Sequence, residues 1–478
     1  MKNIFNEIIK RKKFQNRFFI LGNNMLKYID VKKKTNSIIK KIKNNKIKNR
    51  RIGLYLDQSS LYGISILSVV NSNNVVVLLS KDWTNNEIKK IINHCEIDYI
   101  ISDINKVKFK GKKIIDLDDG LLLFKTSIQS KLYSANDDAV IIYSSGTTGN
   151  PKGILLTKNS ISHNVIAVCN YLKLNSKDKS LISTPTCYAF SLSQTLTHLY
   201  SGASLLPIKT GLMFPNEIID NIIKYNLTGV TGPPTTFRIL INSNFKKLKL
   251  KSIRYCQVGG TPFELDLEKK IKLYFPNAKI LNVYGCSENS PRVSFFYLNK
   301  KGLSKNNYFS VGKNVKYTKI EVINNLNQNC KINEVGEIVI SGKCLMKKYW
   351  KNNELTKRRL RNEKFYTGDN GYLNKFGLLF IAGRKDTIIN VGNEKVSPEE
   401  VEDVLNTHKF IKESYVYSEK NKLTGSIVIA EIVITKNIED FEVQKFCRKY
   451  LSSYKIPRKI YNVEKIPKNL YGKIQRKK

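Results

Sequence analysis

The stretch YSSGTTGNPKG, residues 143 to 153, combines a flexible backbone with many hydrogen-bond donors. Glycines let the chain turn tightly and approach a ligand closely. The hydroxyl groups and the Lys152 ammonium add donors, and convergent donors of this kind suit a polyphosphate. The residues that we predict to bind phosphate are Ser144, Ser145, Gly146, Thr147, Thr148, Gly149 and Lys152.

The flanking sequence predicts how this loop is positioned. A short apolar run within residues 137 to 144 is typical of a buried strand. Downstream, Ser160 precedes an apolar period near 3.6 residues and is the predicted N-cap of a helix. The expected order is strand, flexible loop and helix. The loop differs from the P-loop of NTPases, because Pro151 stands where that motif needs glycine and Gly153 where it needs a hydroxyl.

Other stretches carry residue types that suit a nucleotide. Tyr284 has a ring that can stack on a base, and Glu288 is a hard oxygen ligand suited to Mg²⁺. A hydrolase nucleophile elbow is excluded here, because Asn289 replaces its last glycine. Asp369 can accept hydrogen bonds from a ribose diol, and Arg384 can bind ribose or phosphate. In isolation, Asp369 also fits an ordinary turn and Arg384 a surface ion pair.

Taken together, these motifs resemble the AMP-forming acyl- and aryl-CoA synthetases, adenylation domains and luciferases. Residues 144 to 153 match that family's S-S-G-T-T-G-x-P-K-G loop throughout. Residues 284–288 resemble its Y-G-x-[ST]-E motif, and 365–369 its Y-x-T-G-D motif. The stretches AGRKD at 382–386 and GKIQR at 472–476 complete the family's order and spacing. Several motifs agreeing in order are far more specific than one.

The resemblance implies an ATP-dependent acid–thiol ligase. A carboxylic acid would attack ATP to give an acyl-adenylate and pyrophosphate. The thiol of coenzyme A, or of a phosphopantetheine carrier protein, would then take the acyl group. Expected cofactors and co-substrates are therefore ATP, Mg²⁺ and one of these thiols. The residue roles that the resemblance implies are Lys473, Thr147 and Glu288 as catalytic residues, Glu288 as metal ligand, Asp386 as hinge, and Gly259, Gly260, Tyr284, Gly285, Ser287, Asp369 and Arg384 as further nucleotide-binding residues.

The acid should lie in a pocket of its own. The predicted pocket residues are Tyr188, Ala189, Phe190 and Gly259, within the stretches 184–206, 231–237 and 257–263. In relatives that activate α-amino acids, an Asp pairs with the substrate ammonium, and its position here falls on Ala189. No acidic residue lies between Thr184 and Leu206. Since a buried unpaired ammonium is costly, the sequence favours a fatty or aryl acid without an α-amino group.

Two alternatives remain open at this point. One is a free-standing amino-acid adenylation enzyme of the same fold. The other, more remote, is a non-catalytic basic binding protein on this scaffold. The second is disfavoured because the five charged residues expected to do chemistry are present, namely Lys152, Glu288, Asp369, Arg384 and Lys473.

The net charge of +43 comes from 82 Lys and Arg against 39 Asp and Glu. Such an excess usually indicates nucleic acid or an anionic membrane as partner. Here it is mostly lysine, spread over the whole length with abundant Asn and Ile, which AT-rich codons explain. We therefore expect no specific nucleic-acid partner. No apolar run spans a membrane and no signal-peptide core is present, so we expect a cytoplasmic enzyme, with peripheral membrane contact left open.

Domain organisation follows from the element pattern. Strands and helices alternate to about residue 380, which predicts α/β layers with parallel sheets. Ser397 is a predicted N-cap in the small α+β region that follows. The predicted domains are a basic lead-in at 1–19, a large N-terminal AMP-binding domain at 20–384, and a small mobile C-terminal lid domain at 385–478 that carries Lys473. We expect the lead-in to be a frayed terminal helix.

Overall fold

The computed structural model covers the 478-residue chain and divides it into two compact units. The residues that it describes are 3–22, 25–57, 59–104, 109, 111–118, 120–130, 136–144, 152–208, 214–243, 249–260, 263, 265–298, 310–384, 389–391, 394–421, 425–451, 453–468 and 474. Unit 1 comprises Met1–Tyr308, Lys313–Ile320 and Ile340–Phe365. Unit 2 comprises Phe309–Gly312, Glu321–Val339 and Tyr366–Lys478.

Helices occur along the whole described chain. They are α1 Ile4–Lys10, α2 Tyr28–Asn44, α3 Ser60–Asn71, α4 Asn85–Cys95, α5 Lys158–Leu172, α6 Ala189–Ser201, α7 Pro215–Lys224, α8 Pro234–Asn242, α9 Leu265–Tyr274, α10 Asn353–Arg359, α11 Pro398–Leu405 and α12 Asp440–Cys447. Among these, none is both long enough and apolar enough to cross a bilayer.

Strands alternate with the helices in the first part of the chain and dominate the later part. They are β1 Phe18–Ile20, β2 Leu26–Lys27, β3 Arg51–Tyr55, β4 Val75–Leu78, β5 Tyr99–Ser102, β6 Gly111–Asp118, β7 Leu121–Thr126, β8 Asp138–Ser144, β9 Lys152–Thr157, β10 Lys179–Ile182, β11 Ser204–Pro207, β12 Gly229–Gly232, β13 Tyr255–Gly259, β14 Lys279–Gly285, β15 Arg292–Tyr297, β16 Lys313–Asn314, β17 Thr318–Ile323, β18 Gly336–Gly342, β19 Lys348–Tyr349, β20 Leu360–Arg361, β21 Lys364–Leu373, β22 Leu379–Arg384, β23 Ile389–Val391, β24 Glu394–Val396, β25 Ile411–Asn421, β26 Gly425–Ile434 and β27 Lys459–Asn462.

Unit 1 contains two large sheets with parallel centres and antiparallel edges. One has nine strands in the order β16-β15-β14-β13-β12-β10-β11-β1-β2, and the other has eight in the order β19-β9-β8-β4-β3-β5-β7-β6. Strands β10 to β14 of the first and β3, β4, β5 and β8 of the second pair in parallel. Parallel neighbours end at the same edge of a sheet, so the residues that follow them meet there.

Unit 2 includes a small α+β region with its own core. Strands β25 and β26 pair antiparallel, and β27 adds in parallel to β26. Helices α11 and α12 contribute Val401 and Val443 to the apolar cluster that covers this sheet. The N-cap prediction for α11 is confirmed, because Ser397 accepts a hydrogen bond from the backbone N–H of Glu400 and Pro398 is the first helical residue.

Three local predictions need correction. A strand, β9, lies between the loop and helix α5, where we expected loop and helix to be adjacent. Helix α5 begins one turn earlier than expected: Thr157 is its N-cap, and Ser160 is the reciprocal partner in a capping box. The terminal helix α1 is not frayed, because Ile4 and Phe5 are fully buried. The domain limits 1–19, 20–384 and 385–478 remain predictions.

Candidate active site

The predicted phosphate loop connects two paired strands of unit 1. Strands β8 and β9 are antiparallel, with Ser144 opposite Lys152 and Tyr143 opposite Gly153. Strand β9 is in turn paired with β19, and the backbone N–H of Trp350 donates to the Gly153 carbonyl at 2.7 Å. The two ends of the loop are therefore fixed beside each other by strand register. Residues 145–151 lie outside the described residues.

Glu288 lies in a single 3-10 turn, Ser287–Asn289, directly after β14. The Tyr349 hydroxyl donates to its Oε1 at 2.9 Å, and its own carbonyl accepts from the Met346 N–H at 2.7 Å. Burial and the Glu288 charge raise the pKa of Tyr349, so this hydroxyl keeps its proton and remains a donor. Because Tyr349 pairs with Ile154 of β9, the Glu288 turn is anchored to the strand that begins at Lys152.

Two buried amides hold the Glu288 turn in place. The Asn289 side chain is fully buried, and its Nδ2 donates to the Arg292 carbonyl at 2.7 Å. From helix α5, Asn164 donates to the carbonyls of Asn289 and Arg292 at 2.9 and 3.0 Å. Asn289, which excluded the nucleophile elbow, therefore has a structural role, because it closes the turn that presents Glu288.

The predicted residues at 259, 260, 284 and 285 lie at or just beyond the ends of two neighbouring parallel strands, β13 and β14. In the register of β13 and β14, Gly259 pairs with Val283, which puts Tyr284 beside the start of the Gly260 turn. Gly260 has φ of +97°, a left-handed conformation that favours glycine. A Cβ on Gly285 would overlap the Pro291 carbonyl oxygen, so glycine is required there for close backbone approach. The structure thus brings these four residues to one sheet edge.

Within unit 2, Asp369 and Arg384 face each other across β21 and β22. Their strands place them in register, and Arg384 Nη1 donates to Asp369 Oδ1 at 2.9 Å. The Asp369 side chain is 14% exposed and that of Arg384 is 49% exposed. The surface ion pair considered for Arg384 is therefore present, and its partner is the other predicted ribose ligand. A carboxylate acceptor beside a guanidinium donor can bind a diol.

The predicted acid pocket begins where β10 ends. Residue Tyr188 is the N-cap of helix α6, and Ala189, its first residue, is buried. The next side chain, Phe190, has the guanidinium of Arg292 over its ring, with Cζ 4.0 Å from the centroid. Arg292 comes from β15, where it pairs with Gly285 at the end of β14. The pocket wall and the nucleotide motif are thus neighbours in unit 1.

Residues 6–350 match the AMP-binding enzyme family, and residues 400–473 match the AMP-binding enzyme C-terminal domain. The chain belongs to the AMP-binding enzyme family. The resemblance seen in the motifs is confirmed, and with it the enzyme class, an AMP-forming ligase that joins an acid to coenzyme A.

Named relatives of this AMP-binding enzyme are ligases of different acids. It is 28% identical over 388 residues to an oxalate–CoA ligase of Arabidopsis thaliana, covering 78% of this chain and 74% of that protein. It is 30% identical over 387 residues to 4-coumarate–CoA ligase 3 of Oryza sativa, covering 77% of this chain and 70% of that protein.

A solved structure shares the fold. The O-succinylbenzoate coenzyme A synthetase of Bacillus subtilis, in complex with ATP and magnesium ion, superposes with a TM-score of 0.84 at 21% identity. The match covers 99% of this chain and 98% of that one. The expected α/β fold class, with a large N-terminal and a small C-terminal domain, is confirmed.

Several predicted residues of this AMP-binding enzyme lie outside the described residues. They are Ser145, Gly146, Thr147, Thr148, Gly149, Asp386 and Lys473. Their roles remain predictions, as does the side chain of Ser144, of which the structure gives the backbone alone.

Sequence reasoning missed two residues at this site. Tyr349 is 61 positions from Glu288, and nothing in its local sequence indicates the contact. Arg292 lies four residues after Glu288, in the stretch SENSPRVSFF. A charged residue directly before the apolar run VSFF was the signal that could have revealed it, because buried charges are rare unless they have a partner.

Proposed function

We propose that this enzyme activates a fatty or aryl carboxylic acid as its adenylate and passes the acyl group to a pantetheine thiol, that of coenzyme A. One observation carries the proposal. Strand register fixes Lys152 opposite Ser144, and Tyr349, on the strand next to β9, holds Glu288. Candidate phosphate and metal ligands from distant parts of the sequence are therefore anchored to one hairpin. The named acid–CoA ligase relatives support the same assignment.

The first half-reaction needs charge compensation more than a nucleophilic side chain. An oxygen of the substrate carboxylate forms a bond to the α-phosphorus, while the bond from that phosphorus to pyrophosphate breaks. Both reactants are anions, so cations and hydroxyl donors must offset charge in the transition state. We assign this role to Lys473 at the carboxylate and α-phosphate, and to Lys152 with the hydroxyls of the 144–148 stretch, Thr147 included, at the departing phosphates.

The residues around Glu288 fit a magnesium ion. Carboxylate oxygens are hard ligands of the kind that Mg²⁺ uses together with substrate phosphates. A carboxylate has about four lone-pair sites, so the hydrogen bond from Tyr349 to Oε1 is compatible with metal coordination. When bound, the ion would neutralise charge on the polyphosphate. Glu288 is the described residue that we propose to hold it.

The remaining nucleotide contacts follow the motif matches. We assign Tyr284 to stacking on adenine, Ser287 to the α-phosphate region, and Gly259, Gly260 and Gly285 to close backbone approach. For the ribose we assign Asp369 as acceptor and Arg384 as donor, because the two side chains already lie 2.9 Å apart in unit 2.

The acid carries no α-amino group in this proposal. Ala189 stands where amino-acid-activating relatives have an acid, and it is buried at the start of α6. A second feature points the same way: the Arg292 guanidinium lies over the next pocket residue, Phe190. A substrate ammonium would meet a buried cation there and no described carboxylate between Thr184 and Leu206, which disfavours the amino-acid alternative.

Acid-dependent exchange of labelled pyrophosphate into ATP tests the proposal. A panel of fatty, aryl, dicarboxylic and amino acids is supplied to the whole enzyme with ATP and Mg²⁺. We expect exchange with one or more acids lacking an α-amino group and none with amino acids. Absence of exchange with every acid, in protein that binds ATP by calorimetry, would contradict the ligase assignment. Exchange with a single amino acid would instead establish the adenylation alternative.

The second half-reaction identifies the thiol acceptor and tests the role of Lys473. The thiol sulfur forms a bond to the acyl carbon, the bond from that carbon to the AMP oxygen breaks, and the thiol proton is released. Mass spectrometry with coenzyme A and with a phosphopantetheine carrier protein identifies the acceptor; we expect coenzyme A. Lys473→Ala should lose adenylation by about a thousandfold yet still form thioester from supplied acyl-adenylate. Lys465→Ala is the matched control.

We further propose that Asp386 is the pivot of the C-terminal lid. Proline fixes φ, so Asp386→Pro should impair the rotation that the thiol step needs while adenylation persists. Equal loss of both half-reactions in a folded variant would refute the pivot. A cytoplasmic location and weak, salt-sensitive, non-specific nucleic-acid binding remain further predictions.

A further inference from the structure

Arg292 is a buried cation at the edge of the predicted acid pocket. Arg292 is 4% exposed, although arginine is almost never fully buried without a partner of opposite charge. Its position is set by the pairing with Gly285 and by hydrogen bonds from Asn289 and Asn164 to its carbonyl. The backbone at Arg292 is therefore fixed by the same turn that presents Glu288.

Among the described residues, the guanidinium has neutral contacts. It hydrogen-bonds with the Tyr171 hydroxyl, which in turn donates to Gln257 Oε1, and it lies over the Phe190 ring. Its Nε is buried and has no hydrogen-bond partner in the part of the chain that the structure describes. Burial lowers the Arg292 pKa, with Tyr171 opposing that shift and no described carboxylate contributing to it.

Arg292 and its partner Tyr171 contact residues of the predicted acid-pocket stretches. Phe190 belongs to the predicted pocket stretch 184–206 and Gln257 to the stretch 257–263. Tyr171 donates to Gln257 and is buried, which raises its pKa to about 12, so it stays neutral and supplies no counter-charge. Guanidinium is the side chain best suited to a planar carboxylate, which it can bind through two parallel hydrogen bonds.

We propose that Arg292 selects the substrate by binding a second carboxylate, located on the acyl part of the acid that is activated. The inference rests on the proposed function and narrows it from acids without an α-amino group to dicarboxylic acids. One carboxylate reacts with ATP, and the other pairs with the guanidinium. Tyr171 is a positioning residue, since its hydroxyl links the guanidinium to Gln257.

The test compares acids matched in length. Straight-chain dicarboxylates of two to six carbons, phthalate and 2-succinylbenzoate are assayed by pyrophosphate exchange against the monocarboxylates of equal carbon number and benzoate. We expect the wild type to prefer a dicarboxylate by about a hundredfold in kcat/KM. Arg292→Met, which keeps an unbranched side chain but no charge, should lose that preference through a higher KM for the diacid. Arg292→Lys should retain part of it.

Folding and nucleotide binding serve as independent controls. Thermal melting and ATP calorimetry on each variant separate a lost contact from an unfolded protein, and Arg292→Lys keeps the test open if Arg292→Met does not fold. A preference for monocarboxylates in the wild type would overturn the inference. An equal loss of exchange with diacids and monoacids in a folded Arg292→Met variant would also overturn it, because Arg292 would then only stabilise the Glu288 turn. No exchange with any acid would instead refute the ligase assignment.

Discussion

The two described groups of candidate nucleotide ligands are held in place by different kinds of interaction. In unit 1, the Glu288 turn is fixed from several sides by buried partners, namely Tyr349, Asn289 and Asn164. In unit 2, Asp369 and Arg384 are fixed by strand register and by an ion pair whose arginine side chain is half exposed. An exposed ion pair contributes little to stability, whereas removing one partner of a buried hydrogen bond leaves the other unsatisfied and costs more.

The difference fits the separate roles that we propose for the two groups, metal and phosphate binding for the Glu288 turn and ribose binding for Asp369 and Arg384. Metal and phosphate chemistry needs ligands held at fixed positions, because misplacement is costly to the rate. A ribose can be held by two side chains that exchange their mutual contact for contacts with its hydroxyls. Substitutions in the two groups should therefore separate loss of activity, loss of stability and loss of nucleotide affinity.

The largest effect is expected at Glu288 itself. Glu288→Gln removes the charge but keeps an oxygen that can accept from Tyr349, so the fold should survive. We expect adenylation to fall by about a thousandfold, with the free energy of unfolding changed by less than about 1 kcal/mol. Pyrophosphate exchange and urea denaturation measure the two quantities. Glu217→Gln, at an exposed position of α7, is the charge-matched control. Equal pyrophosphate exchange in the two variants would show that Glu288 has no role in adenylation.

Acidification should weaken unit 1 through His198. Burial lowers the pKa of this imidazole from 6.5 to about 4, although its Nδ1 lies 2.8 Å from the Gln194 carbonyl. The unfolded chain therefore binds a proton at a pH where the folded chain does not. The free energy of unfolding should fall as pH drops from 6.5 towards 4, by about 3 kcal/mol in total.

Two histidine variants check this pH dependence. His198→Gln lacks the proton site and should show a flatter decline of unfolding free energy between these pH values. The matched control is His408→Gln in unit 2, where the pKa is also lowered by burial but the ring is less enclosed. If both substitutions make the pH dependence of the unfolding free energy equally flat, burial does not distinguish the histidine of unit 1 from that of unit 2.

The next effect is at Asn289, which joins the Glu288 turn to buried backbone carbonyls. Asn289→Ala leaves polar groups without this donor and should lower the free energy of unfolding by about 2 kcal/mol. Exposed Asn277 also donates to a carbonyl, that of Lys251 at 2.9 Å, and Asn277→Ala should cost less than about 0.5 kcal/mol. Similar losses in the two variants, measured by denaturation at one pH, would contradict the claim that burial fixes this turn.

The smallest effect is expected in unit 2. Arg384→Met removes an exposed donor, so stability should change by less than about 0.5 kcal/mol while the KM for ATP rises about tenfold. Arg458→Met, also exposed in unit 2, should leave both quantities unchanged. An unchanged KM for ATP in Arg384→Met would mean that Asp369 and Arg384 form only a surface ion pair and do not bind ATP.

Local signals account for what the sequence could predict. The strand, helix and strand at β3, α3 and β4 follow from apolar runs and turn residues, and Ser397 and Pro398 mark a helix start by their own chemistry. Strand β9 was missed because its apolar run follows the loop directly and is short. Thr157 and Ser160 both fit an N-cap, and the choice depends on where β9 ends.

Long-range contacts could not be predicted from the sequence. The hydrogen bond from Tyr349 to Glu288 depends on β19 pairing with β9, and the contact of Arg292 with Phe190 depends on β15 folding back along β14. Motif spacing predicted which residues bind a nucleotide, since each motif is local. It could not show which side chains support them, because support comes from residues far apart in the sequence, 61 positions for Tyr349 and Glu288 and 125 for Asn164 and Asn289.

Transfer of an oxygen isotope tests the central claim most directly. The acid that gives the strongest exchange is supplied with its carboxylates labelled with ¹⁸O, together with ATP, Mg²⁺ and coenzyme A, and the products are analysed by mass spectrometry. Attack of the carboxylate on the α-phosphorus requires that one labelled oxygen leave with AMP when the thioester forms. We expect AMP with a single ¹⁸O and unlabelled pyrophosphate. Unlabelled AMP, or label in orthophosphate with formation of ADP, would contradict an acyl-adenylate mechanism for this chain.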